Sequence, residues 1–141
     1  MTLFAWGACL ALAASPAQDI VFIPTDGFTL AWTHSIEKTR WEEDYIIKPP
    51  DSPGGKPRLV LTEARIKGSA AGMEPPPGSV LRDGWFVYQP EQPSDEPIVL
   101  TRSRFVGDYD WCVQDKCQPM ESILPTDGLT TLLSACGRPA P

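Results

Sequence analysis

Sixteen prolines and eleven glycines are spread along the 141 residues, and they constrain the fold of this chain more than any other feature. Proline fixes φ and lacks a backbone N–H, so it interrupts helices and central strands. Long helices and wide uninterrupted sheets are therefore disfavoured. Short strands joined by stiff turns are expected, in a chain long enough for one domain with its own core.

The clearest local pattern is the alternation along residues 28–37. The even-numbered residues point to one face: Phe28, Leu30, Trp32, His34 and Ile36. A period of two predicts a half-buried strand. The polar residues 38–40 then turn the chain, and 41–48 returns as the hairpin partner.

Other short strands are predicted at 20–23, 59–67, 85–88, 98–106 and 109–113, and 129–136 closes the domain as a strand or a short helix. Pro/Gly-rich or polar stretches separate them. The fold class predicted is all-β: a small antiparallel sandwich or barrel of about eight short strands with long Pro/Gly-rich loops.

Residues 1–17 carry no charged side chain, and 3–14 is apolar apart from Gly7. This run is too short to span a bilayer comfortably, and Ser15-Pro16-Ala17 resembles the end of a signal cleavage site. We predict a signal peptide, or a membrane anchor because no Lys or Arg precedes the run. A single β-rich domain would then occupy 18–141, in the periplasm or secreted. The alternatives are a buried first helix or strand and, on a poor motif match, a lipoprotein site at Cys9.

Three cysteines would remain after cleavage: Cys112, Cys117 and Cys136. Four residues separate the first two, so a hairpin there would bring their sulfurs within bridging distance. Three single-bridge pairings stay open. A metal site combining these cysteines with His34 lacks the C-x2-C spacing of zinc modules. No metal or other cofactor is predicted, and the net charge of −6 argues against nucleic acid as a partner.

His34 is the only histidine, and Ser35 and Glu37 beside it suggest a hydrolytic triad. Successive strand residues point to opposite faces, so these side chains cannot meet without a bulge. No catalytic residue is therefore assigned. His34 is interpreted as a core residue, with Glu43 or Tyr45 as a hydrogen-bond partner across the hairpin, or as the floor of a ligand pocket.

Two further groups of residues are weighed against plain structural roles. The acidic group Glu37, Glu42, Glu43 and Asp44 could bind a cation or act as acid and base, but a solvated hairpin end is favoured. The segment 68–72 is glycine-rich without the spacing of a phosphate-binding loop.

These same segments resemble a bacterial family of uncharacterised domains, domain-of-unknown-function family 1850. Residues 28–37 are similar to that family's strand ending in His-Ser-Val-Glu, and Glu43-Asp44-Tyr45 to its return strand. Residues 68–75 resemble its Gly-Ser-Gly-Ala-Gly-Met-Glu-Pro loop, with Ala70 replacing a glycine.

The resemblance implies a small exported protein without a known catalytic mechanism, often encoded beside TAXI-type TRAP transporters. The expected function is a non-enzymatic periplasmic accessory or binding protein, whose partner is a TRAP-type permease or its solute-binding protein. A small-ligand or metal-binding module is the alternative, and a hydrolase is less favoured. The residues expected at the ligand or partner site are His34, Ser35, Glu37, Glu43, Tyr45, Gly68, Ser69, Gly72, Met73 and Glu74.

Overall fold

The computed structural model describes residues 4–34, 38–67, 77–89 and 96–139. In chain order, the strands are β1 (Phe4–Leu12), β2 (Val21–Pro24), β3 (Gly27–Thr33), β4 (Arg40–Lys48), β5 (Arg58–Lys67), β6 (Val80–Arg82), β7 (Trp85–Tyr88), β8 (Ile98–Thr101), β9 (Asp110–Val113), β10 (Lys116–Pro119) and β11 (Thr130–Pro139). A single turn of 3-10 helix, Met120–Ser122, follows β10.

The strands form two antiparallel sheets. The smaller sheet has the order β2-β1-β11-β8, and the larger has the order β10-β9-β3-β4-β5-β7-β6. The all-β prediction is confirmed, with two sheets rather than a closed barrel. The described residues contain eleven strands instead of about eight, because the short strands β6 and β10 and the N-terminal β1 were not among those predicted.

A β-bulge keeps the apolar residues of β5 on one face. Asp44 pairs with Glu63 and Tyr45 with Leu61, so Thr62 is the extra residue. The bulge shifts the alternation by one position. As a result, Leu59 before it and Ala64 after it are both buried, on the side facing the smaller sheet. We call this side of the larger sheet the inner face and the opposite side the outer face.

The main core lies where the smaller sheet covers one part of the inner face. Its buried residues come from both sheets: Ala8, Leu10, Phe28, Leu30, Tyr45, Ile47, Leu59, Leu100, Trp111, Met120, Leu124 and Leu133. Phe28 stacks on Trp111 with ring centroids 4.0 Å apart. Within the described residues, Trp41, Phe86 and Tyr88 of the larger sheet are half-buried and lie outside this cluster.

The apolar N-terminal run, predicted as an export signal or anchor, forms an interior strand. β1 lies between β2 and β11, and Ala8 and Leu10 are fully buried. This position is that of the alternative named above, a buried first strand. Cleavage after residue 17 would remove β1 from the sheet, and whether it occurs stays a prediction. In the part of the chain that the structure describes, no helix has the length and hydrophobicity needed to cross a membrane.

Two disulfides cross-link the strands. Cys112 and Cys117 are opposite each other on β9 and β10 and are bonded, which is the hairpin bridge among the three pairings left open by the sequence. Gln114 and Asp115 turn this hairpin with positive φ. Cys136 bonds to Cys9, which the predicted cleavage after residue 17 would remove.

Candidate functional site

The turn after β3 begins at His34. The His34 N–H donates to the Thr39 carbonyl at 2.8 Å, and the Lys38 N–H donates to the His34 carbonyl at 2.9 Å. β3 therefore ends at Thr33, earlier than the predicted 28–37 strand, and Ser35 and Glu37 lie outside the described residues. The hairpin register places Leu30 opposite Glu43 and Phe28 opposite Tyr45, so neither predicted partner lies opposite His34.

A small pocket lies beside His34. It has a volume of about 190 Å³, and its lining residues are Trp32, Thr33, His34, Thr101, Val106, Gly107 and Tyr109. The His34 ring stacks against Trp41 at 5.9 Å, and Trp32 meets Tyr109 edge-on at 5.6 Å. Small-molecule sites usually measure roughly 300–1,000 Å³. This pocket is therefore the size for one side chain or a very small molecule, in an aromatic setting with a histidine at its edge.

Glu43 and Tyr45 form a second part of the predicted site, and the structure brings them together. The Tyr45 hydroxyl donates to Glu43 Oε1 at 3.1 Å. Both side chains lie on the inner face. Burial raises the pKa of Glu43, although the hydrogen bond from Tyr45 opposes this. Burial and the Glu43 carboxylate together raise the pKa of Tyr45.

The loop predicted to contribute to the site lies outside the described residues. This holds for Gly68, Ser69, Gly72, Met73 and Glu74. Their placement beside His34 stays a prediction.

Glu42 and Asp44, which flank Glu43 in the sequence, belong to a different group of charges on the outer face. The Arg65 guanidinium binds both oxygens of Asp44, at 2.7 and 3.0 Å, and also reaches Glu63 at 2.7 Å and Glu42 at 3.0 Å. Arg40 extends the group by bonding Asp110 at 2.8 Å. Glu42 and Asp44 are therefore only partly exposed, because cross-strand arginines hold them, and Arg40 pairs with Glu42 as expected for a charge-balanced hairpin end.

Asp44 and Arg65 reinforce each other's charge. Burial alone would raise the pKa of Asp44, but hydrogen bonds from Arg65 and Thr29 outweigh burial, and the pKa of Asp44 is lowered. The hydrogen bond to Asp44 is the main cause that raises the pKa of Arg65. This group is ion-paired in a way that suits structural support of the sheet.

An arginine that sequence reasoning missed holds the loop beside the His34 pocket. The Arg102 side chain is fully buried and bonds Asp108 through two contacts, at 3.1 and 3.2 Å. It also donates to Thr131 at 3.2 Å and contacts Glu121 at 3.4 Å. The loop between Arg102 and Asp108 is thereby closed at its base and tied to β11 and the 3-10 helix.

The tip of this loop exposes a large apolar side chain. Phe105 is 98% exposed, and the adjacent Val106 is 43% exposed. The sequence prediction had placed both in a strand ending at residue 106, whereas β8 ends at Thr101. The turn-forming residues Ser103, Gly107 and Asp108 were the signal that the strand could not continue.

Among the described residues, no group of three or more His, Cys, Asp or Glu side chains is placed to hold a metal ion. All four cysteines are in disulfides. The described part of the site offers aromatic rings, one histidine and the Glu43 carboxylate.

By its fold the protein is a two-sheet antiparallel β protein with two disulfides. A family model described as Domain of unknown function (DUF1850) matches residues 28–120. Because the match covers more than half of the chain, the protein belongs to this family. No curated protein and no solved structure matches the chain significantly.

Proposed function

We propose that this protein is an exported, non-enzymatic accessory protein that binds a component of a TRAP-type transporter of the TAXI branch. The observation that carries the binding role is the Phe105 loop beside the His34 pocket. We call Trp32, His34, Phe105, Val106 and Tyr109 the binding surface. The transporter as partner is an expectation from the family resemblance.

The Phe105 loop has the features of a preformed contact element. Phe105 is almost fully exposed, which costs hydrophobic free energy unless a partner covers it. The loop base is held by the Arg102–Asp108 ion pair, so little ordering is needed when a partner binds. Exposed aromatic residues on rigid supports are frequent centres of binding energy in interfaces.

The His34 pocket complements this projection with a cavity. Val106 and Gly107 of the loop line the pocket, together with Trp32 of β3 and Tyr109, which directly precedes β9. A partner could therefore receive Phe105 and insert one of its own side chains next to His34. Such mutual insertion is typical of specific interfaces.

Export is supported by the two disulfides, which are compatible with an extracellular location. The measurement that tests export is the intact mass of the protein recovered from the periplasm and from culture medium. We expect a mass lowered by the four hydrogens of two disulfides where residues 1–17 are retained, and by the two hydrogens of Cys112–Cys117 where they are removed together with Cys9. A protein found only in the cytoplasm with free thiols would contradict export. The same spectrum reports whether residues 1–17 are still present.

Partner binding is tested with the purified solute-binding protein and the detergent-solubilised permease of the TRAP-type system of the same organism. We expect Phe105→Ser to weaken binding at least tenfold, which corresponds to about 1.4 kcal/mol. Leu81→Ser is the matched control, because Leu81 is 63% exposed on β6 and lies away from the binding surface. Failure of the wild-type protein to bind either component would overturn the transporter assignment. Equal loss in both variants would overturn the assignment to this surface.

A further inference from the structure

The half-buried carboxylate of Glu43 lies in an unusual setting on the inner face. Across the larger sheet, its row consists of Trp111, Leu30, Glu43, Ala64 and Tyr88, given by the pairings of five adjacent strands. Glu43 is the only charged residue in this row. A carboxylate in such a position loses part of its hydration, which must be offset by some interaction.

The interactions within the protein satisfy Glu43 only in part. Among the described residues, its side-chain hydrogen-bond partner is the Tyr45 hydroxyl, at 3.1 Å. An ionised carboxylate has about four acceptor positions, and the bond from Tyr45 uses one of them. Within the described residues, Glu43 takes part in none of the ion pairs, whereas the carboxylates of Glu42 and Asp44 both contact Arg65. A partly buried carboxylate outside the ion pairs of the described residues is a candidate binding group.

Aromatic rings surround this carboxylate in the plane of the sheet. Trp41 and Tyr45 precede and follow Glu43 by two residues on the same face of β4, about 7 Å away along the strand. Trp32 lies opposite Trp41 on β3, with ring centroids 5.9 Å apart. On the other side, the small side chain of Ala64 separates Glu43 from Tyr88. The half-buried rings of Trp32, Trp41 and Tyr88 therefore share one surface with the carboxylate, whereas the Tyr45 ring is buried against Phe28.

The aromatic rings and the single carboxylate of this surface determine which kind of ligand it can bind. The faces of Trp and Tyr rings attract cations, and a carboxylate supplies the opposite charge. Hard metal ions need six or more oxygen ligands or several carboxylates, which a single glutamate does not provide. An organic cation needs only one carboxylate and the ring faces, because its alkyl groups gain from apolar contact.

We propose that Glu43, together with the rings of Trp32, Trp41 and Tyr88, forms a binding site for an organic ammonium group. This site shares Trp32 with the binding surface but does not depend on a transporter partner. The ammonium group belongs either to a free small molecule or to a lysine side chain of a protein. These two sources present the same chemistry to Glu43.

The test is calorimetric titration of the isolated full-length protein with three probes. The probes are choline, its neutral isostere 3,3-dimethylbutan-1-ol, and Nα-acetyl-lysine N-methylamide, whose ε-ammonium group is free. We expect choline or the lysine amide to bind at least tenfold more tightly than the neutral alcohol. Preference for choline would identify a free small cation, and preference for the lysine amide would identify a protein side chain. Absence of binding by both cations, or equal binding of the neutral alcohol, would overturn the site.

Variants separate the site from general effects of charge. Glu43→Gln removes the charge and keeps an oxygen that can accept from Tyr45, and we expect it to weaken cation binding at least tenfold. Glu63→Gln is the control, because it removes the same charge from the outer face of the sheet. Equal weakening in both variants would show that only net charge matters. Thermal unfolding followed by circular dichroism confirms that each variant is folded. Because no transporter component is present, failure here leaves the transporter proposal standing, and the reverse also holds.

Discussion

Three carboxylates follow one another in β4, and the sheet gives them different environments. Glu42 and Asp44 point to the outer face, where Arg65 contacts both of them. Glu43 points to the inner face, where its side-chain partner is a tyrosine hydroxyl. The outer carboxylates stabilise the fold through ion pairs, and the inner one is desolvated with little compensation. Strand parity and the residues across the sheet thus decide what an acidic residue does, more than its neighbours in sequence.

On the outer face, one arginine links two neighbouring strands through ion pairs. Arg65 lies opposite Glu42 on the neighbouring strand. Its guanidinium also reaches Asp44 and Glu63, which lie opposite each other two residues further along β4. Bidentate arginine–carboxylate contacts are stronger and more directional than single contacts. The outer face therefore fixes the relative position of β4 and β5 next to the bulge.

The strongest test of this comparison adds a fully buried arginine as a third case. Arg102→Met should lower the free energy of unfolding by about 4 kcal/mol, because it leaves the carboxylates of Asp108 and Glu121 without their cation. Urea unfolding monitored by tryptophan fluorescence measures this loss. Arg104→Met is the control, since Arg104 bonds an exposed carbonyl at 3.5 Å. A loss smaller than that of Arg65→Met, the next prediction, would show that burial does not decide how much an arginine contributes to stability.

Breaking the outer face itself should have the next largest effect. Arg65→Met removes the cation shared by three partly buried carboxylates, and we expect a loss of about 2 kcal/mol after allowing for its 20% side-chain exposure. Arg58→Met tests an ion pair whose partner, Asp51, has a side chain 73% exposed, and it should cost about 0.5 kcal/mol or less. Chemical unfolding of both variants provides the comparison. Equal losses would mean that the Arg65 group contributes no more than an ordinary surface pair.

Glu43→Gln should change stability in the opposite direction. Because burial raises the pKa of Glu43, its charge costs stability once the pH exceeds its ordinary pKa, and the cost is complete above the raised pKa. The variant should therefore be more stable than wild type at pH 7, by less than the loss in Arg65→Met. Below the ordinary pKa of 4.5 the difference should vanish, since the carboxyl is protonated in both states.

The matched variant for this prediction is Glu42→Gln. Its carboxylate accepts from Arg65 at 3.0 Å and from Arg40 at 3.4 Å, so we expect a loss of stability at pH 7. Thermal unfolding measured from pH 4 to pH 8 gives both curves. The same sign for Glu42→Gln and Glu43→Gln would refute the contrast between the two faces.

A smaller effect than that of Arg65→Met is expected for one hydroxyl on the outer face. The Thr29 Oγ1 donates to Asp44 at 2.6 Å, so Thr29→Val should cost about 1 kcal/mol at neutral pH. This hydrogen bond helps to lower the pKa of Asp44, so the stability that it contributes is present above the ordinary pKa and lost as the pH falls. Thr33→Val, an exposed position on the same strand, should be nearly neutral. A constant difference down to pH 2 would show that the hydroxyl acts through packing instead.

Much of the larger sheet was predictable because its signals are local. The alternation in 28–33, the return strand 40–48 and the cysteine spacing at 112 and 117 each depend on residues close in sequence. The end of β3 was not predictable to the residue, because the turn from His34 to Thr39 depends on Lys38 adopting a positive φ. Because the chain turns earlier than predicted, Glu43 and Tyr45 do not lie opposite His34 in the hairpin.

The smaller sheet was less accessible from sequence, for a physical reason. A short apolar run without charges suits the core of an export signal and the interior strand of a sheet equally well. Only pairing with β11, more than a hundred residues later, distinguishes them in the structure. Arg65 was also missed, although it alternates with Glu63 on a strand that could face Glu42. Phe105 was missed because its loop was included in a predicted strand.

The adjacency of β1 and β11 has a consequence for the order of events during synthesis. β2 follows β1 closely and covers one of its edges early, as a hairpin. The other edge of β1 stays open until the last strand has left the ribosome or the export channel. Throughout that interval an apolar strand edge is available to other chains. Pairing with β11 closes this edge, and the Cys9–Cys136 bond then links the two strands covalently.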